Sequence, residues 1–257
     1  MAEVSELSPK RRANRKRKTR KILKEAMKLV EEEGINGLTI HKLAKRLSVT
    51  VGALYRYFAS KDALVATLQC DGMIALQQAM EEVRVESMGW MKPQDVDESV
   101  QHLTVLLLMS ELYAAFARTG SAHYRLMTMV LGHPEPMVDD QEAARVLMVA
   151  QPIFADLAEL LQKAVASGCL DEGISIDRAL VLWSSLYGLM QVQKIGRLVP
   201  NLMHQERMLN ELVPSLLLGW GASVEQVQSA RTLARQFLEN YPLDELSTLT
   251  KYSEISG

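Results

Sequence analysis

The side chains able to carry out chemistry are few in this chain of 257 residues, and they are not grouped. The histidines form neither an H-x-x-x-H nor an H-E-x-x-H pair, the spacings that place two imidazoles on one helix face for a metal. They are His41, His102, His123, His133 and His204. Two acidic pairs, Asp139/Asp140 and Asp171/Glu172, fall at predicted loop edges, where carboxylates are expected to be solvated.

Motifs for nucleotide binding or covalent catalysis are absent from the sequence. It contains no G-x-G-x-x-G, no G-x-x-x-x-G-K-[ST] and no G-x-S-x-G. Without a nucleophile, a base or a phosphate loop in a recognisable arrangement, no reaction class can be assigned. The sequence therefore predicts that the protein is not an enzyme and has no cofactor and no metal site.

Basic side chains are concentrated near the N-terminus. Nine of the twelve residues from Lys10 to Lys21 are Lys or Arg. Residues 1–62 hold 16 Lys and Arg against 7 Asp and Glu, whereas the remaining residues hold 13 against 24. Such asymmetry indicates a polyanionic partner for the basic part. The basic run is either a solvated disordered tail, or an expression artefact, or an arm that follows DNA phosphates or enters the minor groove.

The segment that follows has the pattern of two short helices joined by a turn, residues 38–58. In the first, Ile40, Leu43, Ala44 and Leu47 recur at helical spacing. Thr39 is placed to cap this helix, and Leu38 with Leu43 has the spacing of a hydrophobic staple. In the second, capped by Thr50, the predicted buried residues are Ala53, Leu54, Tyr57 and Phe58. The predicted outward residues are Thr50, Val51, Gly52, Tyr55 and Arg56, which suit the recognition helix of a helix-turn-helix.

Residues 19–68 resemble the DNA-binding domain of the tetracycline-repressor (TetR) family. The matching stretch is EEEGINGLTIHKLAKRLSVTVGALYRYFASKDAL, in which G-x-x-x-L-T, L-Y-R-Y-F and S-K-D-A-L occur in the family's order and spacing. One residue departs from the pattern, because Ser48 stands where the family usually has Gly. If the turn requires a positive φ, Ser costs on the order of 1 kcal/mol there.

The resemblance implies which residues face DNA. Tyr55 and Lys61 are expected to bind phosphates, and Arg56 either forks to guanine O6 and N7 or takes a phosphate. His41 is either a phosphate or base contact or an idle surface residue. The full predicted set is Thr39, His41, Thr50, Val51, Gly52, Tyr55, Arg56, Tyr57 and Lys61.

The rest of the chain is helical in pattern, without strand alternation. We predict an all-α fold with a basic disordered arm (1–18), a three-helix helix-turn-helix domain (19–66) and a larger helical effector-binding and dimerisation domain (67–257). A first helix is expected to end at Gly34, and a long connecting helix, capped by Ser60, to run from Lys61 to about residue 88. Further predicted helices span 96–118, 122–131, 139–167, 176–199, 205–220 and 224–240.

No apolar run reaches the roughly 18 residues that a membrane-spanning helix requires, and the charged N-terminus lacks the apolar core of a secretory signal. Cys70 and Cys169 are the two cysteines, with no C-x-x-C spacing. Buried free thiols are the expected outcome, with a redox pair as the alternative. We therefore expect a cytoplasmic protein with no membrane partner.

The chain has 14 Met against 14 aromatic residues. Met at helical spacing is usually core, or else it lines an adaptable pocket. The resemblance favours a pocket for a small apolar or amphipathic effector, enclosed by the helices 96–118, 122–131, 139–167 and 176–199. Its expected polar contacts are Tyr113, His123, Tyr124, Tyr187 and Gln191. Its expected walls are Met127, Met148, Phe154, Trp183 and Met190.

Specific recognition by so small a DNA-binding domain, which we call the head, requires two copies. We therefore predict a homodimer on a roughly palindromic operator. The helices 176–199 and 205–220 are expected to form the interface, with an exposed stripe of Leu209, Leu212, Leu216 and Leu217. The predicted function is transcriptional regulation, as a repressor released by an effector. The alternative is an effector-independent DNA-binding or architectural dimer.

Overall fold

A computed structural model describes residues 8–119, 122–132, 138–192 and 204–243 of the protein. Every regular element in these ranges is helical, which confirms the all-α prediction. The α-helices are α1 (Pro9–Gly37), α2 (Ile40–Leu47), α3 (Val51–Tyr55), α4 (Lys61–Met91), α5 (Glu98–Arg118), α6 (Ala122–Gly132), α7 (Asp140–Ala166), α8 (Ser175–Gln191), α9 (Gln205–Gly219) and α10 (Val224–Asn240). A 3-10 turn, Lys92–Gln94, follows α4.

The chain divides into two compact units. The described part of the first comprises residues 8–73, 122–132 and 138–147, and that of the second comprises residues 74–119, 148–192 and 204–243. The first unit therefore contains α1 to α3, the beginning of α4, α6 and the first turns of α7. The predicted DNA-binding domain, 19–66, lies inside it.

The first unit is built on a core of small and branched aliphatic side chains. Apolar residues of α1, α2, α3, α4 and α6 form one buried cluster, with Leu38, Leu43, Leu64 and Leu126 fully enclosed. These residues follow the helical periodicity read from the sequence, because each helix buries one stripe. The result is a scaffold that fixes the orientation of α2 and α3.

The basic N-terminal segment is helical, which corrects the predicted disordered arm for residues 9–18. Helix α1 begins at Pro9 and continues to Gly37, interrupted at Gly34, whose φ of 74° is left-handed. Pro is favoured in the first helical turn, and Arg, Lys and Ala are strong helix formers. The charge density of the segment argued for disorder, but local propensity and continuity with the buried part of α1 favour helix.

Helix α5 lies at the centre of the second unit. It is the one helix in the described ranges long and apolar enough by composition to cross a membrane, but 78% of its apolar window is buried inside the protein. Leu103, Leu106 and Leu108 are fully enclosed. Helix α10 packs along it, and Phe237 meets Trp90 edge-on at 5.7 Å. The apolar character of α5 is thus explained by its central position in a helical bundle.

The predicted leucine stripe of the dimer interface needs correction. Leu209 and Leu217 of α9 are 3% and 0% exposed and belong to the protomer's own core. Leu212 and Leu216 are only half-buried. Helix α9 contacts α5, α8 and α10, so part of its apolar stripe is used inside the chain.

Helix boundaries agree with the predicted ones to within a few residues in the body. Helix α10 spans the predicted 224–240, and its start is fixed by a capping box between Ser223 and Gln226. Helix α4 extends to Met91 rather than to residue 88. Helix α8 is described to Gln191, and its predicted end at residue 199 lies outside the described residues.

Candidate nucleic-acid interface and ligand site

Two threonine caps fix the helices of the predicted DNA-reading motif. The Thr39 hydroxyl oxygen accepts a hydrogen bond from the Lys42 amide at 3.2 Å, and the Thr50 hydroxyl oxygen accepts one from the Ala53 amide at 3.2 Å. Both caps follow the predicted positions. Each hydroxyl still has its own proton to donate, so a capping threonine can also bind a phosphate oxygen.

The turn between α2 and α3 is held by backbone hydrogen bonds to the end of α2. The amide of Ser48 donates to the carbonyl of Lys45 at 3.1 Å, and that of Val49 donates to the carbonyl of Ala44 at 3.0 Å. Closing the turn in this way places Ser48 in the left-handed region, at φ 53° and ψ 44°. Ser48 therefore has the positive φ for which we expected a serine to cost stability relative to glycine.

We expect Ser48→Gly to stabilise the protein by on the order of 1 kcal/mol, because glycine adopts left-handed dihedral angles without a Cβ clash. The change is measured by urea unfolding followed by circular dichroism. Ser48→Ala is the matched control and should give no gain, since alanine keeps the Cβ. A glycine variant that unfolds at the same urea concentration as the wild type would contradict the strain.

Helix α3 presents the surface predicted to read DNA. Gly52, Tyr55 and Arg56 are exposed, with 49% of Tyr55 accessible, whereas Leu54 and Phe58 are buried below them. A Cβ added at Gly52 would meet nothing within 4 Å. The exposed face is therefore narrow at its N-terminal end and polar one turn later, a shape that can approach base edges.

The other predicted DNA contacts surround this face. His41 is exposed in the first turn of α2, and Thr39, Val51 and Tyr57 are half-buried. Lys61 is half-buried at the first residue of α4, where Ser60 caps the helix through the Ala63 amide at 2.9 Å. Helix N-termini favour anions, so Lys61 and the α4 terminus together suit one phosphate.

An ion-pair clamp between α1 and α2 was missed by the sequence reasoning. The Arg46 guanidinium donates two hydrogen bonds to Glu32, both at 2.6 Å, and one to Glu25 at 2.9 Å. Lys42 pairs with Glu33. These hydrogen bonds from Arg46 hold the pKa of Glu32 below its ordinary value. The Glu31–Glu33 run thus helps to orient α2, and no pattern in the sequence pairs it with residues 42 and 46.

Three of the predicted ligand contacts lie in the first unit, on α6. His123, Tyr124 and Met127 are all buried there. Burial lowers the pKa of His123, so its imidazole is neutral at pH 7. On the neighbouring helix α4, the buried Gln69 amide donates to the carbonyl of Leu126 at 3.1 Å. This region is a packed seam between α4 and α6.

The other predicted ligand contacts lie in the second unit, on α5, α7 and α8. Phe154 meets Trp183 edge-on at 5.6 Å, and Trp183 stacks on Tyr187 at 5.5 Å, all three half-buried. Tyr113 and Met190 are buried, whereas Gln191 is exposed and Met148 is 69% exposed. The structure therefore brings together three of the predicted ligand contacts, which are the walls Phe154 and Trp183 and the polar contact Tyr187. We call these three residues the α7–α8 aromatic cluster.

No side-chain cluster suited to a metal ion occurs in the described residues, where groups of three or more His, Cys, Asp or Glu ligands are lacking. Cys70 and Cys169 are both buried thiols. Desolvation raises the pKa of each, which disfavours the reactive thiolate.

Two family models cover most of the chain. Residues 22–68 match "Bacterial regulatory proteins, tetR family", and residues 106–216 match "Tetracyclin repressor-like, C-terminal domain". The first match contains the second half of α1, α2, α3 and the beginning of α4. The second contains α6 to α8 together with most of α5 and α9.

Individual relatives are distant. The chain is 29% identical over 134 residues to the nucleoid occlusion factor SlmA of Actinobacillus pleuropneumoniae serotype 5b, an alignment covering 52% of this chain and 59% of SlmA. The chain thus spans about three fifths of the length of this relative.

Solved structures share the fold at low identity. AibR, crystallised with isovaleryl coenzyme A and operator DNA, superposes with a TM-score of 0.53 at 17% identity over 80% of this chain and 99% of AibR. SmeT in complex with triclosan superposes with a TM-score of 0.56 at 18% identity over 81% and 94%. The two family matches, in the expected order along a fold of this kind, lead to one conclusion: the chain belongs to the TetR family of DNA-binding transcriptional regulators.

Proposed function

We propose that the protein is a homodimeric repressor that binds a palindromic operator through α3 and is released by a small apolar or amphipathic effector. The observation that carries this proposal is the exposed face of α3, where Gly52, Tyr55 and Arg56 are accessible above a fully packed core. The other members of the predicted DNA-binding set surround it. Because the proposed target is operator DNA, we propose that the protein is cytoplasmic.

The chemistry of this face divides into phosphate and base contacts. The hydroxyls of Thr39, Thr50 and Tyr55 and the ammonium of Lys61 donate to phosphate oxygens, which sets the position of the head on the duplex. The Arg56 guanidinium can fork to guanine O6 and N7, the most frequent specific contact in the major groove. Specificity then rests on a few base pairs per head.

Two heads are needed because one reads so little sequence. A symmetric dimer places its recognition helices about 34–36 Å apart, one turn of DNA, and predicts a palindromic operator. The surface that we assign to dimerisation is a groove of about 860 Å³ between α8 and α9. Its lining includes Ser184, Ser185 and Gly188, small residues that permit close approach of a second helix pair.

Exposed apolar side chains lie within one helical turn of the groove-lining residues Ser184, Ser185 and Ser215. On α8, Leu180 and Val181 are each 44% exposed, and on α9 Leu218 is 40% exposed. Together with the half-buried Leu212 in the groove, they form an apolar surface that a monomer would leave in water. Burying it against a second copy accounts for exposed apolar residues on two adjacent helices.

The α7–α8 aromatic cluster is the proposed effector-contacting surface. Phe154, Trp183 and Tyr187 are half-buried, so their rings keep free area beside an apolar environment. Burial raises the pKa of Tyr187, which stays a neutral hydrogen-bond donor at pH 7. SmeT and AibR, structural relatives, hold triclosan and isovaleryl coenzyme A, an aromatic and an acyl ligand. These two chemistries define the ligand classes to test.

We expect one of three probe classes, namely triclosan, acyl coenzyme A thioesters or free fatty acids, to raise the melting temperature and quench Trp183 fluorescence. At 100 times its dissociation constant a ligand adds about 2.7 kcal/mol of stability. The coupling between the two sites is reciprocal. Operator DNA must therefore weaken ligand binding by the same factor by which the ligand weakens operator binding, roughly 5- to 150-fold.

The matched variants are Trp183→Phe and Trp90→Phe, since Trp90 also meets a single phenylalanine edge-on in the second unit. Trp183→Phe should lose the quenching and part of the affinity, whereas Trp90→Phe should keep both. A ligand that binds equally well with and without operator is not the inducer.

An effector-independent DNA-binding protein is the second candidate. Its support is the similarity to SlmA, a nucleoid occlusion factor, which extends over 52% of this chain. The two candidates differ in the same experiment, because an effector-independent dimer would bind operator with unchanged affinity in the presence of every ligand that raises its melting temperature.

A further inference from the structure

The N-terminal part of α1, residues 9–21, extends beyond the core of the first unit. Every side chain from Pro9 to Lys18 is exposed, and the first buried residue of the helix is Ile22. At 1.5 Å per residue, the helix carries this segment about 20 Å past its last core contact. We call residues 9–21 the basic extension.

The charge of the basic extension is of one sign. It holds nine Lys and Arg and no acidic residue, and the first carboxylate of the helix is at Glu25. Nine charges along about 18 Å give one charge per roughly 2 Å, close to the one phosphate per about 1.7 Å of duplex DNA. The charge density of the helix therefore matches that of its expected partner.

The basic extension lies beside the DNA-reading helix. The Arg15 guanidinium is 3.5 Å from the carbonyl oxygen of Arg56, the C-cap residue that follows α3. Elsewhere in the head, Arg46 and Lys42 are paired with carboxylates of α1. The extension thus supplies most of the positive charge that the head can offer to DNA next to α3.

Helical structure restricts how the extension can bind. An α-helix with its side chains is about 10–12 Å wide, whereas the minor groove is about 6 Å wide, so a helix cannot enter that groove as an extended arm does. The major groove of the same half-site is filled by α3 in the proposed complex. What remains accessible to the extension is the sugar-phosphate backbone.

We propose that the basic extension binds the phosphate backbone beside the operator half-site as a helix, without reading sequence. This inference rests on the proposed function, because it requires the head to sit on duplex DNA. Like charges four residues apart, as in Arg11/Arg15 and Lys16/Arg20, weaken the helix in the free protein. Phosphates remove that repulsion, so DNA should also increase the helix content of the segment.

The test compares operator and random duplexes over a series of salt concentrations. In a triple variant, Arg11→Gln, Lys16→Gln and Lys18→Gln, the slope of log affinity against log salt should fall by about 0.9 for each lost contact, up to about 5 for a dimer. The loss should be equal on operator and random DNA, at least about tenfold at low salt. An unchanged slope on both duplexes would overturn the proposal.

A second pair of variants separates a helix from a flexible arm. Asn14→Pro keeps every charge but breaks the helix, and Asn14→Ala keeps both. The proline variant should bind both duplexes more weakly than the alanine variant and should gain less helical circular dichroism on adding DNA. Equal binding by the two variants would show a flexible arm and overturn the helical contact. Displacement of the extension by netropsin, a minor-groove ligand, would do the same.

These outcomes are separable from failure of the proposed function. If the wild-type protein binds operator and random DNA equally, the repressor proposal fails, and the salt slopes still decide whether the extension binds phosphates. If operator preference is present but the triple variant loses affinity only for vesicles of phosphatidylserine and phosphatidylcholine, the extension binds membranes and the inference is wrong.

Discussion

Gly52→Glu is expected to abolish operator binding while leaving the protein folded. Gly52 is exposed in the first turn of α3, and a new Cβ there would meet nothing within 4 Å. In the proposed complex that space belongs to DNA, so the carboxylate would be desolvated next to phosphates without a partner. We expect a loss of at least about 3 kcal/mol per half-site, which is more than 100-fold in affinity.

The Gly52→Glu substitution is not expected to destabilise the fold, so a loss of operator binding can be assigned to the interface. A glutamate in the first turn of a helix is stabilised by the helix dipole, and replacing a helical glycine adds about 0.5–1 kcal/mol. The melting temperature of Gly52→Glu should therefore equal or exceed that of the wild type. Fluorescence anisotropy with a labelled operator measures the affinity. An operator affinity of Gly52→Glu within tenfold of the wild-type value would show that α3 does not contact the operator.

Gly188→Arg is expected to convert the proposed dimer into a monomer. Gly188 lies in the groove between α8 and α9, and a Cβ added there would meet no atom of the described residues within 4 Å. In a two-fold interface the same residue is changed on both partners, so two arginines would meet at the contact. We expect monomers at micromolar concentration by sedimentation, with operator affinity reduced by about 100-fold or more because the second half-site is no longer tethered.

The chain offers a matched control in Gly89→Arg. Gly89 is also an exposed helical glycine with open space around its Cβ direction, but it lies on α4. Both arginine variants should be slightly more stable than the wild type as protomers, since Arg is a better helix former than Gly. A Gly188→Arg protein that sediments as a dimer would exclude the α8–α9 face from the interface.

Local signals made much of this fold predictable from its sequence. The starts of α2, α3 and α10 coincide with capping residues, and each cap satisfies amides of its own helix. The outward positions of α3 follow from the same 3.6-residue periodicity. Such features depend on neighbours within about four residues, which a sequence displays directly.

Features that depend on distant partners were not predictable in the same way. Glu25 and Glu32 pair with Arg46, 21 and 14 residues away, and that spacing has no helical meaning. Leu209 and Leu217 have the periodicity of an interface stripe, yet their burial depends on the other helices of the second unit. Whether the basic extension is helical depends on the balance between the helix propensity of its residues and the repulsion between its like charges. Counting charged residues does not give that balance.

The predicted ligand residues illustrate the same division. Phe154, Trp183 and Tyr187 come together because Trp183 and Tyr187 are one helical turn apart and α7 supplies the third ring. Met148, predicted as a wall by its residue type, is largely exposed. Residue type indicated apolar contact surface, but only the packing of α7 shows which of its sides is covered.

The clamp on Arg46 has an evolutionary consequence. As long as Glu25 and Glu32 hold this guanidinium, one of the head's strongest cations is withheld from DNA. Losing both glutamates would release an arginine near the recognition motif and raise affinity for duplexes of any sequence. Substitutions at these two sites on α1 would then let the regulon widen or narrow across lineages while the recognition helix itself stays unchanged.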